Sequence, residues 1–140
     1  MRPILRGVNK SKLKVDFPCR QKSLRRARWV VRKFAQRHGF EADAEDIALA
    51  TQEALKNIVQ YACPVDDTMH VTMTDAGDRM VVEVLDKGTG FDPRTVEEGP
   101  PSPMALHGRG IQIMRGLMDE VLVESGRGGT VVHMEKMRAR

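Results

Sequence analysis

The sequence has few aromatic side chains and no long hydrophobic run. Phe, Trp and Tyr make up 4% of its 140 residues, too few for the stacking platform on which single-stranded nucleic acid is held. No apolar stretch is long enough to cross a membrane, and the first residues carry no apolar signal-peptide core, which argues against secretion. These absences favour a cytoplasmic protein that does not span a membrane.

Cysteine is almost as scarce as the aromatic residues. Cys19 and Cys63 lie far apart and form neither a Cys-x-x-Cys motif nor a metal-ligand spacing, so free thiols are the simplest interpretation. The histidines share no common spacing either, and no metal is assigned to them. A chain of this length, 41% hydrophobic and 30% charged, is expected to form one globular domain, residues 1–140.

Acidic residues are nearly absent from the first forty positions. Residues 1–40 hold 13 Lys and Arg but one acidic residue, Asp16, whereas residues 41–140 hold 10 basic and 18 acidic residues. Such segregation indicates that the basic part meets something acidic. The partner is a nucleic acid, an acidic protein or the acidic remainder of the same chain.

Hydrophobic periodicity predicts five strands and three helices. The predicted strands are 12–17, 69–74, 79–86, 120–125 and 130–137, and the predicted helices are 23–38, 43–62 and 110–118. Prolines and glycines break the pattern between 88 and 110, which predicts a long functional or disordered connection. Hairpin-paired strands with few alternating helices predict an α+β sandwich. We expect one mixed or antiparallel sheet covered on one face by helices.

Two polar residues on the second predicted helix form the first candidate site. Glu53 and Asn57 are four positions apart, so they share a helix face. A carboxylate beside a carboxamide oxygen suits a hard cation such as Mg²⁺ with an ordered water. Asn57 would then ligate the metal, and Glu53 would accept a proton from a nucleophile. The alternative is a solvent-exposed polar pair on an amphipathic helix.

Two glycine-rich segments form the other candidates. Asp86 ends a strong strand and is followed by Gly88 and Gly90, which would let a planar ring or a phosphate approach the backbone; the alternative is a tight turn. The segment Gly108-Arg109-Gly110-Ile111 leads into a helix whose N-terminal amides could bind phosphate oxygens, with Arg109 adding a charge-assisted contact. The alternative there is a flexible entry into a packing helix.

The order of these segments is more specific than any one of them. It resembles the ATP-binding domain shared by gyrase, heat-shock-90 chaperones, sensor histidine kinases and mismatch-repair ATPases, the Bergerat fold. Within that superfamily the sequence looks most like the anti-sigma-factor serine kinases of bacterial stress and sporulation control. The matching boxes are Glu53-Ala54-Leu55-Lys56-Asn57-Ile58-Val59-Gln60, Asp86-Lys87-Gly88-Thr89-Gly90-Phe91-Asp92 and Gly108-Arg109-Gly110-Ile111-Gln112-Ile113-Met114. The resemblance covers about residues 12–137.

The resemblance implies a role for each site residue. Asn57 would hold Mg²⁺, Asp86 would recognise adenine, Glu53 would be the general base, and residues 93–107 would form a lid over the phosphates. The nucleotide-binding set implied by the resemblance is Asn57, Asp86, Gly88, Gly90, His107, Gly108, Arg109, Gly110, Ile111 and Thr130. Thr130 would support Asp86 through its hydroxyl or a water.

The resemblance also implies an activity and partners. The protein would use ATP and Mg²⁺ to phosphorylate a serine of an anti-anti-sigma (STAS-type) protein, would sequester a sigma factor, and would form a homodimer without binding nucleic acid directly. One departure is Tyr61-Ala62, where the family commonly has His-Ala or His-Gly. It motivates an alternative: a catalytically weak, nucleotide-gated switch for partner binding.

The basic first helix has two further interpretations. Its arginine stems could simply cover apolar surface while their charges stay in water, or the helix could dock an acidic protein or the second copy of a dimer. Direct DNA binding ranks third, because no recognition-helix motif accompanies the charge. Trp29 lies near this basic side, either as a flanking packing residue or as an exposed contact.

Overall fold

The computed structural model describes residues 11–61, 66–87, 108–126 and 128–139. Its strands are β1 (Ser11–Pro18), β2 (Thr68–Asp75), β3 (Arg79–Asp86), β4 (Glu120–Gly126) and β5 (Gly129–Met137), and its helices are α1 (Ser23–Arg37), α2 (Ala44–Tyr61) and α3 (Gly108–Leu117), with a 3₁₀ turn at Glu41–Asp43. Every predicted element is present, and each boundary agrees to within two residues.

The five strands form one sheet in the order β1-β2-β3-β5-β4, and all neighbouring strands are antiparallel. The predicted α+β architecture is therefore confirmed, in its antiparallel form. Strand β3 lies at the centre and ends at Asp86, while β1 and β4 lie at the edges of the described sheet. The end of β3 is thus flanked by β2 and β5 rather than placed at a sheet edge.

Alternation of side chains decides which face of the sheet is buried. In β2 and β3, every second residue is fully buried, from Met69 to Met73 and from Met80 to Val84, and the residues between them are half-buried. Period-2 patterning of this kind places one sheet face against the helices. The methionines Met69, Met73, Met80, Met114 and Met118 all belong to this core, as their positions predict.

Helix α2 is buried around more of its circumference than its apolar stripe indicates. The predicted stripe residues Ile47, Ala50, Ala54 and Ile58 are buried, and so are Ala44, Ala48, Leu55, Thr51 and Asn57. The reason is that α2 packs against α1, α3 and β3 at once. Thr51 satisfies its buried hydroxyl by donating to the carbonyl oxygen of Ile47 at 2.9 Å, whereas Asn57 has no such local acceptor.

The expectation of free thiols is wrong for Cys19, which is disulfide-bonded. Cys19 directly follows β1, and its backbone N–H donates to the carbonyl of Asp67 at 2.9 Å, just before β2 begins. The other cysteine of the chain, Cys63, lies outside the described residues. Sequence spacing gave no sign of this bond, because a disulfide depends on spatial proximity rather than separation along the chain.

Arg138, which directly follows the last strand, contacts two other segments of the chain. Its guanidinium donates to the carbonyl oxygens of Gly77 and His38, at 2.8 Å each, and to Asp75 Oδ1 at 3.1 Å. It also lies 4.2 Å above the ring of Phe40. One side chain therefore joins the β2–β3 turn, the end of α1 and the chain beyond β5.

Candidate functional site

Asn57 lies on α2 with only 5% of its surface exposed, which excludes the interpretation of a solvent-exposed pair for this residue. Its Nδ2 atom is buried and has no hydrogen-bond partner among the residues that the structure describes. Buried polar atoms are almost always paired, because leaving one unpaired costs about 1–3 kcal/mol. Glu53, one helical turn earlier, is half-buried. An unsatisfied buried amide is expected where a ligand completes the hydrogen bonding.

The N-terminal end of α3 packs directly on this amide. A Cβ added at Gly110 would stand 2.9 Å from Asn57 Nδ2 and 3.3 Å from Oδ1, so only glycine leaves the amide its space. Helix α3 begins at Gly108, two residues before the predicted start, which places Gly108, Arg109 and Gly110 in its first turn. The first four N–H groups of a helix have no intrahelical acceptor, and they attract anions. The structure thus joins two of the three predicted segments.

Ile111 contributes differently from the other residues of this turn. Its side chain is buried and belongs to the hydrophobic core. Because that side chain packs inward, only its backbone amide is suited to a nucleotide. The apolar residue fixes the helix end on the core, and the glycines before it supply close approach.

Asp86 and Thr130 form a second buried polar pair. Asp86 is 1% exposed at the end of β3, and Thr130, also buried, lies directly opposite on β5. Side chains directly opposite in an antiparallel pair lie on the same face, about 5 Å apart. The hydroxyl of Thr130 shares a 2.8 Å hydrogen bond with the hydroxyl of Ser125 on β4. Thr130 therefore lies opposite Asp86 with its hydroxyl bonded to Ser125, a residue that no sequence signal suggested.

Gly129 is a site residue that the sequence reasoning did not single out. Its φ is +123°, a conformation that disfavours any side chain. A Cβ there would overlap the carbonyl oxygen of Asp86. The signal was present in the consecutive glycines before Thr130, because paired glycines at a strand start indicate close backbone approach.

The remaining predicted site residues, Gly88, Gly90 and His107, lie outside the described residues, as does the predicted lid at 93–107. Within the described part, α2 packs on both α3 and β3. The helix that carries Asn57 therefore contacts both the helix that carries Gly110 and the strand that ends at Asp86.

The donor set fits a magnesium ion held mainly by substrate. The described residues contain no group of three or more His, Cys, Asp or Glu that could hold a metal. Mg²⁺ does not need one, since it commonly takes one or two protein ligands and completes its octahedron with waters and phosphate oxygens. Asn57 fits such a single protein ligand through its amide oxygen, while its buried Nδ2, which has no hydrogen-bond partner among the described residues, suits an acceptor such as a phosphate oxygen.

The fold is that of a histidine kinase-like ATPase domain, and the chain belongs to the histidine kinase-like ATPase family. The family profile, described as the histidine kinase-like ATPase domain, matches residues 17–136. The family membership predicted from the order of the motifs is thereby confirmed. The curated relatives place the chain with the serine-protein kinases of this family.

Two curated relatives and one solved structure illustrate the similarity. The chain is 36% identical over 99 residues to the serine-protein kinase RsbW of Bacillus licheniformis, covering 64% of this chain and 62% of that protein. It is 30% identical over 132 residues to the serine-protein kinase RsbW of Listeria monocytogenes serotype 4a, covering 86% and 84%. The chain thus spans less than two thirds of the Bacillus licheniformis relative.

The solved structure supports the fold alone. It contains the RsbU and RsbW domains of a Mycobacterium tuberculosis protein, with a TM-score of 0.68, 20% identity, and coverage of 93% of this chain and 33% of that one. Among the helices of the described residues, none combines the length and apolarity needed to cross a membrane.

Proposed function

We propose that this protein binds ATP with Mg²⁺ and transfers the terminal phosphoryl group to a serine of an anti-anti-sigma protein. The observation that carries the proposal is the buried Asn57 amide, whose Nδ2 has no hydrogen-bond partner among the described residues and which lies against Gly110 at the start of a helix. Such an amide is costly unless a ligand completes it. The similarity to proteins named serine-protein kinases supports the same activity.

Each site residue that the structure describes has a proposed role in this function. Asp86 would accept a hydrogen bond from the exocyclic amine of adenine, held in place by its strand pairing with Thr130. The free N–H groups at the start of α3 would contact phosphate oxygens. A bound magnesium ion would neutralise charge on the phosphates, as in other phosphoryl-transfer enzymes. Asn57 would position that ion from the protein side.

Glu53 would act as the general base. It precedes Asn57 by four residues on α2 and is half-buried, so its carboxylate lies on the same helix face at the border of the site. Its task is to accept the proton of the attacking serine hydroxyl. The remaining catalysis is positioning and charge stabilisation, because phosphoryl transfer needs little covalent help from the protein.

The partners proposed from the resemblance are an anti-anti-sigma protein and a sigma factor, in a cytoplasmic partner-switching pathway that controls transcription. A homodimer is proposed as the assembly. The similarity to curated serine-protein kinases supports this assignment.

The first experiment is a calorimetric titration with ATP and with ADP, each with and without Mg²⁺. We expect Asn57→Ala to weaken Mg²⁺-dependent ATP binding by about tenfold or more, because an interaction with a charged group contributes about 1.5–3 kcal/mol. Gln60→Ala is the matched control, since Gln60 is exposed on the same helix. Equal binding by the wild type and Asn57→Ala would contradict the site.

The second experiment separates a kinase from a nucleotide-gated switch. The protein is incubated with Mg-ATP and a purified anti-anti-sigma domain, and phosphoserine is measured by mass spectrometry. We expect Glu53→Gln to reduce the rate by about 10²–10⁴-fold while ATP affinity is retained. If the wild type binds ATP but forms no phosphoserine, the kinase activity is contradicted and the nucleotide-gated switch is the remaining function.

A further inference from the structure

A groove lies between the edge strand β1 and the second half of α1. It has a volume of about 360 Å³ and is lined by residues from both elements, among them Lys12, Leu13, Trp29, Lys33 and Arg37. Strand β1 is paired with β2 on one side only within the described sheet. Among the described residues, one row of its backbone N–H and C=O groups therefore has no strand beside it and is suited to pairing with another strand. None of these residues belongs to the candidate nucleotide site.

The charge of this groove is not compensated by the described part of the chain. Elsewhere the basic segment meets acidic partners: Arg28 and Arg32 both pair with Glu45, at 3.2 and 3.1 Å, and Arg20 pairs with Asp67 at 3.0 Å. Lys12, Lys33 and Arg37 make no ion pair among the described residues, and no carboxylate lines the groove. The acidic remainder of the chain thus covers only part of the basic helix.

The groove also exposes two large apolar side chains. Trp29 is 53% exposed and Leu13 is 41% exposed, and the ammonium group of Lys33 lies 5.7 Å from the centre of the indole ring. An aromatic side chain flanked by cations is typical of an interface anchor, since tryptophan and arginine are enriched at binding hot spots. The groove therefore combines exposed apolar side chains with positive charge.

We propose that this groove docks an extended acidic segment of a partner protein. The segment adds to the edge of β1 as a strand, inserts an apolar side chain between Leu13 and Trp29, and places carboxylates against Lys12, Lys33 and Arg37. Strand addition fits because alternate side chains of the added strand point to one face. Acidic and apolar residues that alternate along that one face, two positions apart in the partner sequence, then match the cations and the exposed apolar side chains of the groove.

The geometry favours a peptide over the other anionic partners. Nucleic acid without base stacking is held by phosphate contacts along an extended basic surface, whereas this groove is narrow and offers one exposed aromatic ring. A membrane surface would use neither a concave cavity nor the free edge of a strand. The backbone groups of β1 and the cavity below Trp29 both suit a polypeptide.

Trp29 is the only tryptophan of the chain, so its fluorescence reports on the groove directly. The probe is a ten-residue synthetic peptide in which glutamate and leucine alternate at every second position, with threonine between them, titrated into the full chain without nucleotide. We expect saturable binding and a shift of Trp29 emission to shorter wavelength as the indole leaves water. A second peptide, with serine in place of leucine, should bind more weakly and shift the emission less.

The matched variants test whether the groove or the overall charge is responsible. The double variant Lys33→Glu with Arg37→Glu should raise the dissociation constant of the glutamate–leucine peptide by about tenfold or more. Arg25→Glu with Arg26→Glu makes the same charge change on exposed positions of α1 outside the groove, and we expect a much smaller effect. Circular dichroism confirms that both variants are folded.

Three results would overturn the proposal. One is no saturable shift of Trp29 emission with the peptide. Another is equal loss of binding in the two double variants, which would indicate general electrostatic attraction. The third is a larger shift with a twenty-base-pair DNA duplex or with phosphatidylserine vesicles at lower concentration, which would assign the surface to nucleic acid or to membranes. Nucleotide titrations of the same variants are independent of all three.

Discussion

Two glycines of this structure lie so close to other atoms that a side chain at either position would collide with them. Gly110 faces the side-chain amide of Asn57, and Gly129 faces the backbone carbonyl of Asp86. The first neighbour is the end of a side chain that is proposed to bind ligand, and the second is rigid main chain. A methyl group at either position therefore has a different consequence: loss of binding at Gly110 and loss of stability at Gly129.

Gly129→Ala is expected to destabilise the fold by about 2 kcal/mol or more. The left-handed φ of +123° strains any side chain, and the overlap with the Asp86 carbonyl can be relieved only by moving two paired strands. The midpoint of urea unfolding measures the effect. Gly116→Ala is the control, because nothing lies within 4 Å of a Cβ there and alanine favours a helix by about 1 kcal/mol. Equal midpoints for the two variants would contradict this account.

Gly110→Ala should fold but bind ATP poorly. The added methyl group would press on the Asn57 amide at 2.9 Å, and a helical glycine position is otherwise tolerant of alanine. We expect Mg²⁺-dependent ATP affinity to fall by about tenfold, with an unfolding midpoint close to that of the wild type. A variant that binds ATP normally would show that the amide is not part of the site.

At the level of elements, the pairing of β3 with β5 carries a histidine between two carboxylates. His133 Nδ1 lies 2.8 Å from Glu83 Oε2 on β3, and its Nε2 lies 2.7 Å from Glu135 Oε2 on β5. Glu135 also accepts from Arg79 at 2.6 Å. Partial burial opposes the charged imidazole, but hydrogen bonds to Glu135 and Glu83 outweigh it, and the pKa of His133 is raised above 6.5. Hydrogen bonds from His133 and Arg79 lower the pKa of Glu135.

These shifts predict a window of pH in which the strand pair is most stable. The contribution of His133 is complete below 6.5, its ordinary pKa, and is lost as the pH rises through the raised pKa of the folded state. The contribution of Glu135 is present above 4.5 and is lost as the pH falls through its lowered pKa. The stability advantage of the wild type over His133→Gln should therefore be largest between pH 4.5 and 6.5.

The size of this effect is modest. The groups are partly exposed, so we expect less than about 1 kcal/mol. Urea unfolding of both proteins at several pH values, at low salt, measures the difference. A difference that stays constant across the range, or that grows above neutral pH, would show that His133 is not held charged by its carboxylates.

The elements themselves could be predicted from the sequence, and the contacts between them only in part. Period-2 and period-3.6 patterns depend on local burial, so β2, β3 and α1 are predicted closely. The burial of Asn57 and the order of the strands depend on how the elements pack against one another. No local sequence pattern encodes that packing. The start of α3 was placed two residues late because glycine is a weak helix former, and tertiary packing outweighs that preference here.

Polar partners far apart in sequence were the hardest feature to predict. The bridge of His133 to Glu83 joins residues brought together by the pairing of β3 with β5, and Arg138 joins the chain beyond β5 to β2 and to the end of α1. Their side chains give no periodic signal. The site residues stay a prediction that rests on the order of three short boxes, which is specific even though each box alone is weak.

At the level of the whole molecule, Arg138 connects segments that are far apart in the sequence. It contacts segments 63 and 100 residues away in sequence, at Asp75 and His38. Its guanidinium also fills the space beside Gly39, where a Cβ would come 2.6 Å from Nη1. Contacts of such long range connect the end of the chain to its first helix and therefore affect global rather than local stability.

Arg138→Ala is expected to lower the free energy of unfolding by about 1–3 kcal/mol, because two backbone carbonyls and a carboxylate lose a charged donor. Arg138→Lys should recover part of this loss, since an ammonium group can bind one or two of the acceptors but cannot span all three. Urea unfolding followed by circular dichroism measures both. Arg115→Ala, an exposed arginine on α3, is the control and should change the midpoint little.

The unsatisfied amide of Asn57 also bears on how this chain would respond to selection. Leucine has nearly the same shape as asparagine and would bury no polar atom, so it should be the more stable residue at this position. A library randomised at position 57 and selected for heat resistance alone is expected to enrich apolar residues, whereas selection for nucleotide retention should restore asparagine. Selection for stability and selection for activity would thus favour different residues at position 57. Such a conflict is typical of residues that are retained for chemistry rather than for folding.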